Sequence, residues 1–449
     1  MHRNIDVISG DKNMIQSTKE LNHKLKNYIS ANVLAMVGMS CYILADTFFI
    51  SLAQGADGIT ALNLALPVYN AMFAIGAMIG IGSATRFAIG RAAGAKDADA
   101  YFSNALFWIL LFSLVFVFIG ITSPDHLLRL FGADERIIFV GTDYMRIALC
   151  FAPFFMTNYL CTSYVRNDGA PKTAMCATLV SSLFNIVFDY ILMFPLGLGM
   201  VGAALATAVS PIVSISICMT HFLSKKSHIH FLWQMPSVKR LLKSIRLGVA
   251  AFVGEFASGV TTMVFNYLLL SLVGNVAVAA YGVVANLALV GVAIFNGISQ
   301  GIQPIASDAR GRMQKEEMRY IIRYALRVGI IFAVILYVIL FVFTEQFVAI
   351  FNSEASEQLA QYAIVGLRIY FAGFLFASTN LIGTGYLSAV GRGKESALIA
   401  IARGVVAIVF FAFVLSRIWG VTGVWMAFPV TEAVCMVATL FVIAHLQKE

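Results

Sequence analysis

A chain of 449 residues that is 60% hydrophobic and only 12% charged falls well short of the roughly 25% charge content of ordinary soluble domains, which excludes a water-soluble globular fold for most of its length. Its net charge of +8 comes without a basic patch interleaved with aromatics, so a nucleic-acid partner is excluded as well. The lipid bilayer is the partner that this composition calls for, with the surplus Lys and Arg placed in the loops on one side of it.

Residues 1–27 are polar and mixed in charge and read as a cytoplasmic N-terminal tail without a cleavable signal, ending in a short amphipathic lead-in at 21–27. From residue 28 onward, runs of about 20 apolar residues recur, long enough to cross a bilayer as helices. They are too long, and lack the period-two alternation, for a transmembrane barrel. The predicted spans are 28–52, 60–85, 102–122, 140–165, 172–195, 201–223, 245–271, 276–305, 321–343, 360–386, 396–415 and 421–446. Pro67 and Pro304 lie in the long second and eighth spans and invite bends there. The expected fold is thus an all-α polytopic membrane protein of twelve transmembrane helices.

Loop charge sets the orientation. Lys225, Lys226, Lys239, Arg240, Lys243 and Arg246 lie between spans 6 and 7. Arg310, Arg312, Lys315, Arg319, Arg323 and Arg327 follow span 8, and Arg86, Arg91, Lys96, Arg392 and Lys394 sit in two further loops on that side. The opposite loops carry only Arg129, Arg136 and Arg417. By the positive-inside rule both termini are cytoplasmic, in a multi-pass protein of the plasma (cytoplasmic) membrane.

The chain also repeats itself with a period near 220 residues. "DYMRIALCFAPF" answers "VGLRIYFAGF", placing Arg146 opposite Arg368, and "RNDGAPKTAM" answers "SAVGRGKESAL". The repeat gives two pseudo-twofold-related six-helix bundles: an N-lobe at 28–223, a cytoplasmic linker at 224–244 and a C-lobe at 245–446. Six is even, so both copies enter from the same side. Such parallel two-lobed repeats are a known architecture of alternating-access carriers. A channel more often assembles from several chains around a filter, and no filter-like loop is present.

The copies differ where chemistry is concentrated. Asp46 in span 1 lies opposite Asn266, Asn185 and Asp189 in span 5 opposite Ala407 and Phe411, and Thr207 in span 6 opposite Phe428. Asn185 and Asp189 are four residues apart, hence on one helix face. A carboxylate at mid-membrane costs about 2.5–3.5 kcal/mol on insertion scales, and no Lys or Arg in the middle of spans 1, 5 or 6 offsets it. A proton or a bound cation is left to neutralise the pair; carboxylate, amide and hydroxyl oxygens suit a hard ion such as Na⁺.

With "YILADTFF" in span 1, "NIVFD" in span 5, the span-6 threonine and the twofold repeat, the chain resembles the multidrug and toxic compound extrusion (MATE) transporters over nearly its whole length. The resemblance implies a secondary active multidrug efflux transporter that exchanges amphipathic, cationic compounds for H⁺ or Na⁺ and serves antibiotic resistance as a monomer. It assigns cation or proton coupling, with Na⁺ as one candidate ion, to Asp46, Asn185, Asp189 and Thr207, and a supporting role to Tyr42. The family proline early in helix 1 has no counterpart here; the matching place is Ala31. The alternative within the superfamily is a flippase for lipids or lipid-linked oligosaccharides, which calls for a more cationic central cavity.

Glu255, eleven residues before Asn266, resembles a helix-7 glutamate that one branch of the family uses in coupling, but the aspartate which that branch carries in helix 10 is missing from "YFAGFLFASTNLIGTGY". Glu255, Asn266, Asn158 and Gln300 are candidates for the substrate cavity. Glu432 is expected to find a structural partner such as Arg403, and Arg146 and Arg368 to share one structural duty. The six cysteines lie in apolar runs without metal spacing and read as packing residues. His221, His228 and His230 read as surface residues. No cofactor is expected beyond the coupling ion, and no HExxH, GxSxG or Cys/His grouping marks an enzyme.

Overall fold

The computed structural model describes residues 2–95, 97–351 and 356–447, with side chains from residue 19 onward apart from residue 56. Lys96, one of the expected loop cations, lies outside the described residues. The chain is helical almost throughout, and among the described residues there is no strand.

Its first helical run, His2–Ala92, is broken at Gly55, where φ of 58° and ψ of −141° suit glycine alone. The run therefore holds two crossings, α1 (Lys19–Gly55) and α2 (Asp57–Ala92). Next come α3 (Ala100–Thr122), the bent pair that forms α4 (Glu135–Cys150, then Ala152–Asn167 after 46°), α5 (Pro171–Met193) and α6 (Gly199–Phe222). The second half repeats the plan with α7 (Val238–Leu272), α8 (Asn275–Gly311), α9 (Lys315–Val342) and a second bent pair, α10 (Glu357–Ala372, then Phe374–Ala389 after 45°). The last run, Gly393–Leu446, has 54 residues. Straight, it would reach about 80 Å, more than twice the hydrocarbon thickness. It turns at Gly420 (φ 56°, ψ −131°) into α11 (393–419) and α12 (421–446). Twelve crossings result among the described residues, so α1 begins and α12 ends on the same side, here called the terminal side.

The backbone records the duplication as plainly as the sequence does. Positive φ occurs at Gly55 and Gly274, at Gly94 and Met313, at Gly169 and Gly391, and at Gly199 and Gly420, each pair about 220 residues apart, as the repeat requires. Short surface helices, Pro124–Leu130 and Thr344–Phe351, follow α3 and α9. The bends differ from expectation: helical geometry continues through Pro67 and Pro304. The breaks fall instead at Phe151 and Gly373, corresponding points of α4 and α10. Pro153 follows the first and denies the helix a backbone donor, while the second has no side chain to hold the turn. The expected amphipathic lead-in is no separate element; Lys19 runs unbroken into α1.

Two large apolar clusters form the cores of the lobes, with a small third one among α4, α5 and α6, and helices α1 and α7 cross between the large ones. Leu25, Tyr28 and Ile29 at the foot of α1 pack into the cluster of α8–α12. Leu241 and Ile245 at the foot of α7 join the cluster of α2–α6. Glycine makes this crossing close: a Cβ on Gly297 of α8 would stand 2.5 Å from Val33 Cα, and one on Gly248 of α7 would stand 1.8 Å from the Met78 carbonyl oxygen. Both are far inside van der Waals contact. Toward the other side a Cβ on Gly259 of α7 would come no nearer than 3.9 Å to Asn70 of α2, and one on Gly254 or Gly282 would meet nothing within 4 Å. The lobes are sealed on the terminal side and slacker on the other.

Candidate cation-coupling site

On α5 the buried residues Ser181, Asn185 and Asp189 recur every four positions and form one polar stripe. Leu183, Val187 and Ile191 cover the outer face and are exposed to lipid. The stripe faces α6, whose small residues let the backbones approach: a Cβ on Gly202 would sit 2.8 Å from the Leu192 carbonyl carbon. Ser181 Oγ donates to the Ser210 carbonyl at 2.7 Å. One turn on, the Asn185 amide meets Thr207. Its nitrogen and its oxygen both find partners when Nδ2 donates to Asp189 Oδ2 (3.2 Å) and Oδ1 accepts from the Thr207 hydroxyl (3.1 Å).

Asn185 and Asp189 are 0% exposed, and Asp46, which α1 brings against α5, is 7% exposed. Asp46 Oδ1 and Asp189 Oδ1 are buried with no hydrogen-bond partner, and among the described residues no salt bridge reaches either. Tyr42, half-buried one turn before Asp46, lies within electrostatic range of both acids and of Glu255. The second copy holds no such vacancy of charge. Phe428, at the place of Thr207, stacks on Tyr370 with centroids 4.2 Å apart and rings 7° from parallel, and Phe374 closes in at 5.3 Å.

The C-lobe keeps its own buried charge fully satisfied. Arg403 Nε and Nη2 donate to both oxygens of Glu432, the closest contact being 2.6 Å. Asn380 Nδ2 donates to the same carboxylate at 2.7 Å, and Thr439 donates to Asn380 Oδ1. Arg403 lies in a π-helical turn, Ala402–Ala407, inside α11, and such bulges often mark sites where a side chain is re-aimed. Glu432 thus has the partner expected from sequence.

Where the lobes meet, Glu255 of α7 lies 3.4 Å from the Tyr159 hydroxyl of α4. Gln300 of α8 accepts from Arg166 of α4 at 2.7 Å, and Asn32 of α1 accepts from the same guanidinium nitrogen at 3.0 Å. Asn158 is half-buried with Oδ1 unpartnered, and Asn266 is half-buried on α7. Of the cavity candidates, then, Glu255 and Gln300 bridge the two lobes by hydrogen bonds. Sequence reading missed Tyr159 and Arg166. Arg166 stands at the edge of "RNDGAPK", which reads as loop, yet α4 runs through it and buries it among three helices.

Two further expectations are corrected. Asp168 is buried, and it holds Arg91, His221 Nε2 (2.9 Å) and His228 Nδ1 (3.2 Å); His221 is itself buried, because an acid beyond the reach of local sequence spacing ties it down. Arg146 and Arg368 share no duty: the first pairs with Asp143 at 2.8 Å, and the second lies over the Phe341 ring at 5.1 Å. All six cysteines are free thiols; Cys161, Cys218 and Cys435 are buried, while Cys41 and Cys176 are exposed.

Comparison with known proteins agrees with this construction. The family model described as MatE fits residues 32–191 and again residues 250–413, once in each half. The multidrug export protein MepA of Staphylococcus saprophyticus is 28% identical over 407 residues, covering 90% of this chain and 89% of that protein. MepA of Staphylococcus aureus is 26% identical over the same length. Among solved structures, an outward-facing multidrug resistance MATE family transporter of the MOP superfamily superposes with a TM-score of 0.87 at 23% identity, covering 95% of this chain and 97% of that one. A MOP superfamily transporter from Pyrococcus furiosus gives the same TM-score and identity. With a twofold twelve-helix architecture, two buried acids without a basic partner among the described residues in the first copy, and a family model that fits both copies, the chain belongs to the MatE family, the MATE transporters.

Proposed function

We propose that this protein is a secondary active multidrug exporter which exchanges small amphipathic, cationic organic compounds for H⁺ or Na⁺ by alternating access. The observation that carries the reading is the pair Asp46 and Asp189: two buried carboxylates, each with an unpartnered oxygen and no basic partner among the described residues. A proton or a Na⁺ ion supplies the missing positive charge, with Asn185 and Thr207 as neutral oxygen donors. The moving bodies are the N-lobe at 28–223 and the C-lobe at 245–446. The 1–27 tail and the 224–244 linker lie on the cytoplasmic side, as the basic loops call for. The acidic character of the buried site favours cation exchange over flipping of a lipid-linked phosphate.

The mechanism is competition between states. Cation or proton binding at Asp46 and Asp189 favours one arrangement of α1, and α1 reaches from that site down to the lobe seam at Val33. An ion that prefers one arrangement shifts the balance only by its differential affinity for the two. Purified protein in liposomes, with pH and Na⁺ gradients imposed separately, tests this against a fluorescent organic cation. At least one gradient is expected to drive uphill dye movement, and Asp189→Asn is expected to reduce it by about tenfold, the size of a typical coupling free energy. Undiminished gradient-driven transport by Asp189→Asn would sink the reading.

A further inference from the structure

The connection from α6 to α7 carries no helix, yet it is fastened to the N-lobe along its length. The backbone N–H of His228 donates to Asp168 at 2.9 Å, that of Leu232 to Ser103 Oγ at 2.7 Å, and that of Ser237 to Asn104 Oδ1 at 2.6 Å. Ser103 and Asn104 belong to the opening turns of α3. The strap 228–237 therefore rests at the level where α3 enters the bilayer.

Between these tethers three large apolar residues turn away from the protein. Phe231, Trp233 and Met235 are 50%, 94% and 90% exposed, Gln234 and Pro236 are exposed with them, and Leu232 is half-buried. The Phe231 and Trp233 rings meet edge to face with centroids 5.4 Å apart, so the row is a shared surface. On either side lie Lys225, Lys226, Lys239 and Lys243, all exposed, and residues 221–246 contain no acid. An aromatic row at the membrane boundary, flanked by cations, matches the two layers of a lipid surface: acyl chains below the headgroups and phosphates at them.

We propose that this strap is an interfacial anchor, in which Phe231, Trp233 and Met235 enter the terminal-side leaflet and the flanking lysines gather anionic phospholipid headgroups. The tethers join it to the N-lobe, and the foot of α7 that follows packs into the same lobe through Leu241 and Ile245. The anchor thus holds one lobe to the leaflet and leaves the other free to move against it. The reading uses none of the coupling residues and stands apart from the ion that is exchanged.

Full-length protein in liposomes of phosphatidylcholine, with and without phosphatidylglycerol, provides the test. The emission lost on Trp233→Ala isolates the signal of that tryptophan, and Trp233→Tyr serves as a second variant. Expected are a blue-shifted signal, shielding from aqueous iodide, and quenching by chain-brominated lipid that rises about twofold when phosphatidylglycerol is the brominated species. Lys225→Gln with Lys226→Gln should remove that preference and leave the blue shift. Quenching by iodide and not by brominated lipid places the strap in water and overturns the anchor. Equal quenching by both brominated lipids overturns the anionic preference. A signal that depends on protein density in the membrane points to a second copy of the chain as the occupant, and overturns the lipid assignment.

Discussion

Asp189 and Glu432 are both buried acids of the membrane interior, and their surroundings give them opposite jobs. Glu432 has its charge matched by Arg403 and a further hydrogen bond from Asn380, so the carboxylate is paired and hydrogen-bonded within the lobe. Asp189 keeps an unpartnered oxygen beside an amide, as the proposed exchange of a neutralising ion requires. Glu432→Gln leaves the Arg403 guanidinium buried without a counter-charge and is expected to cost about 3–5 kcal/mol, read as a lower Tm in detergent. The double substitution Arg403→Met with Glu432→Leu should recover most of that loss. Asp189→Asn should leave Tm unchanged or raised while transport falls, and an equal drop in Tm for the two single variants would remove the distinction. The stripe of Asn185 and Asp189 was legible in sequence because four-residue spacing is a local property of a helix. Arg166 and His221 were not, since their partners, Gln300 and Asp168, stand 134 and 53 residues away.

The helices themselves were read closely, and what escaped was where they break. Hydropathy locates an apolar run but not a backbone dihedral, so Phe151 and Gly373 looked like ordinary members of their runs, while the two prolines drew the expectation of bends. The breaks that matter most for topology rest on glycine. At Gly420 a side chain would meet a positive φ with strongly negative ψ, a region that costs residues other than glycine about 1–3 kcal/mol. Gly420→Ala is therefore expected to lower Tm in detergent. Gly254→Ala, within a helix and facing open space, should leave Tm equal or raise it through the better helix propensity of alanine. If both changes act alike, backbone conformation is not what Gly420 contributes. The π-helical turn around Arg403 was equally invisible beforehand: one extra residue in a turn alters no hydropathy, yet it lies where the side chain meets Glu432.

Over the whole molecule, the duplication was legible and the crossing of α1 and α7 was not. Leu25 and Leu241 are apolar residues near basic loops, and nothing in their type tells which lobe each will join. The seam that they help to form closes the terminal side, and its closeness depends on Gly248 and Gly297. Gly248→Leu places a side chain where the Met78 carbonyl already stands, so the seam cannot shut. A cysteine at Val33, in a background with Cys41 and Cys176 replaced, should then react severalfold faster with an impermeant maleimide added from the terminal side, and efflux should be lost. Unchanged labelling would show that the seam closes by another route. The crossing has a consequence for how the protein comes to exist. Each half lends an arm to complete the interior of the other, as the partners of a swapped dimer do, so neither is an independent folding unit. Residues 1–223 produced alone should be degraded, and the same fragment produced together with residues 224–449 should survive as a reassembled pair.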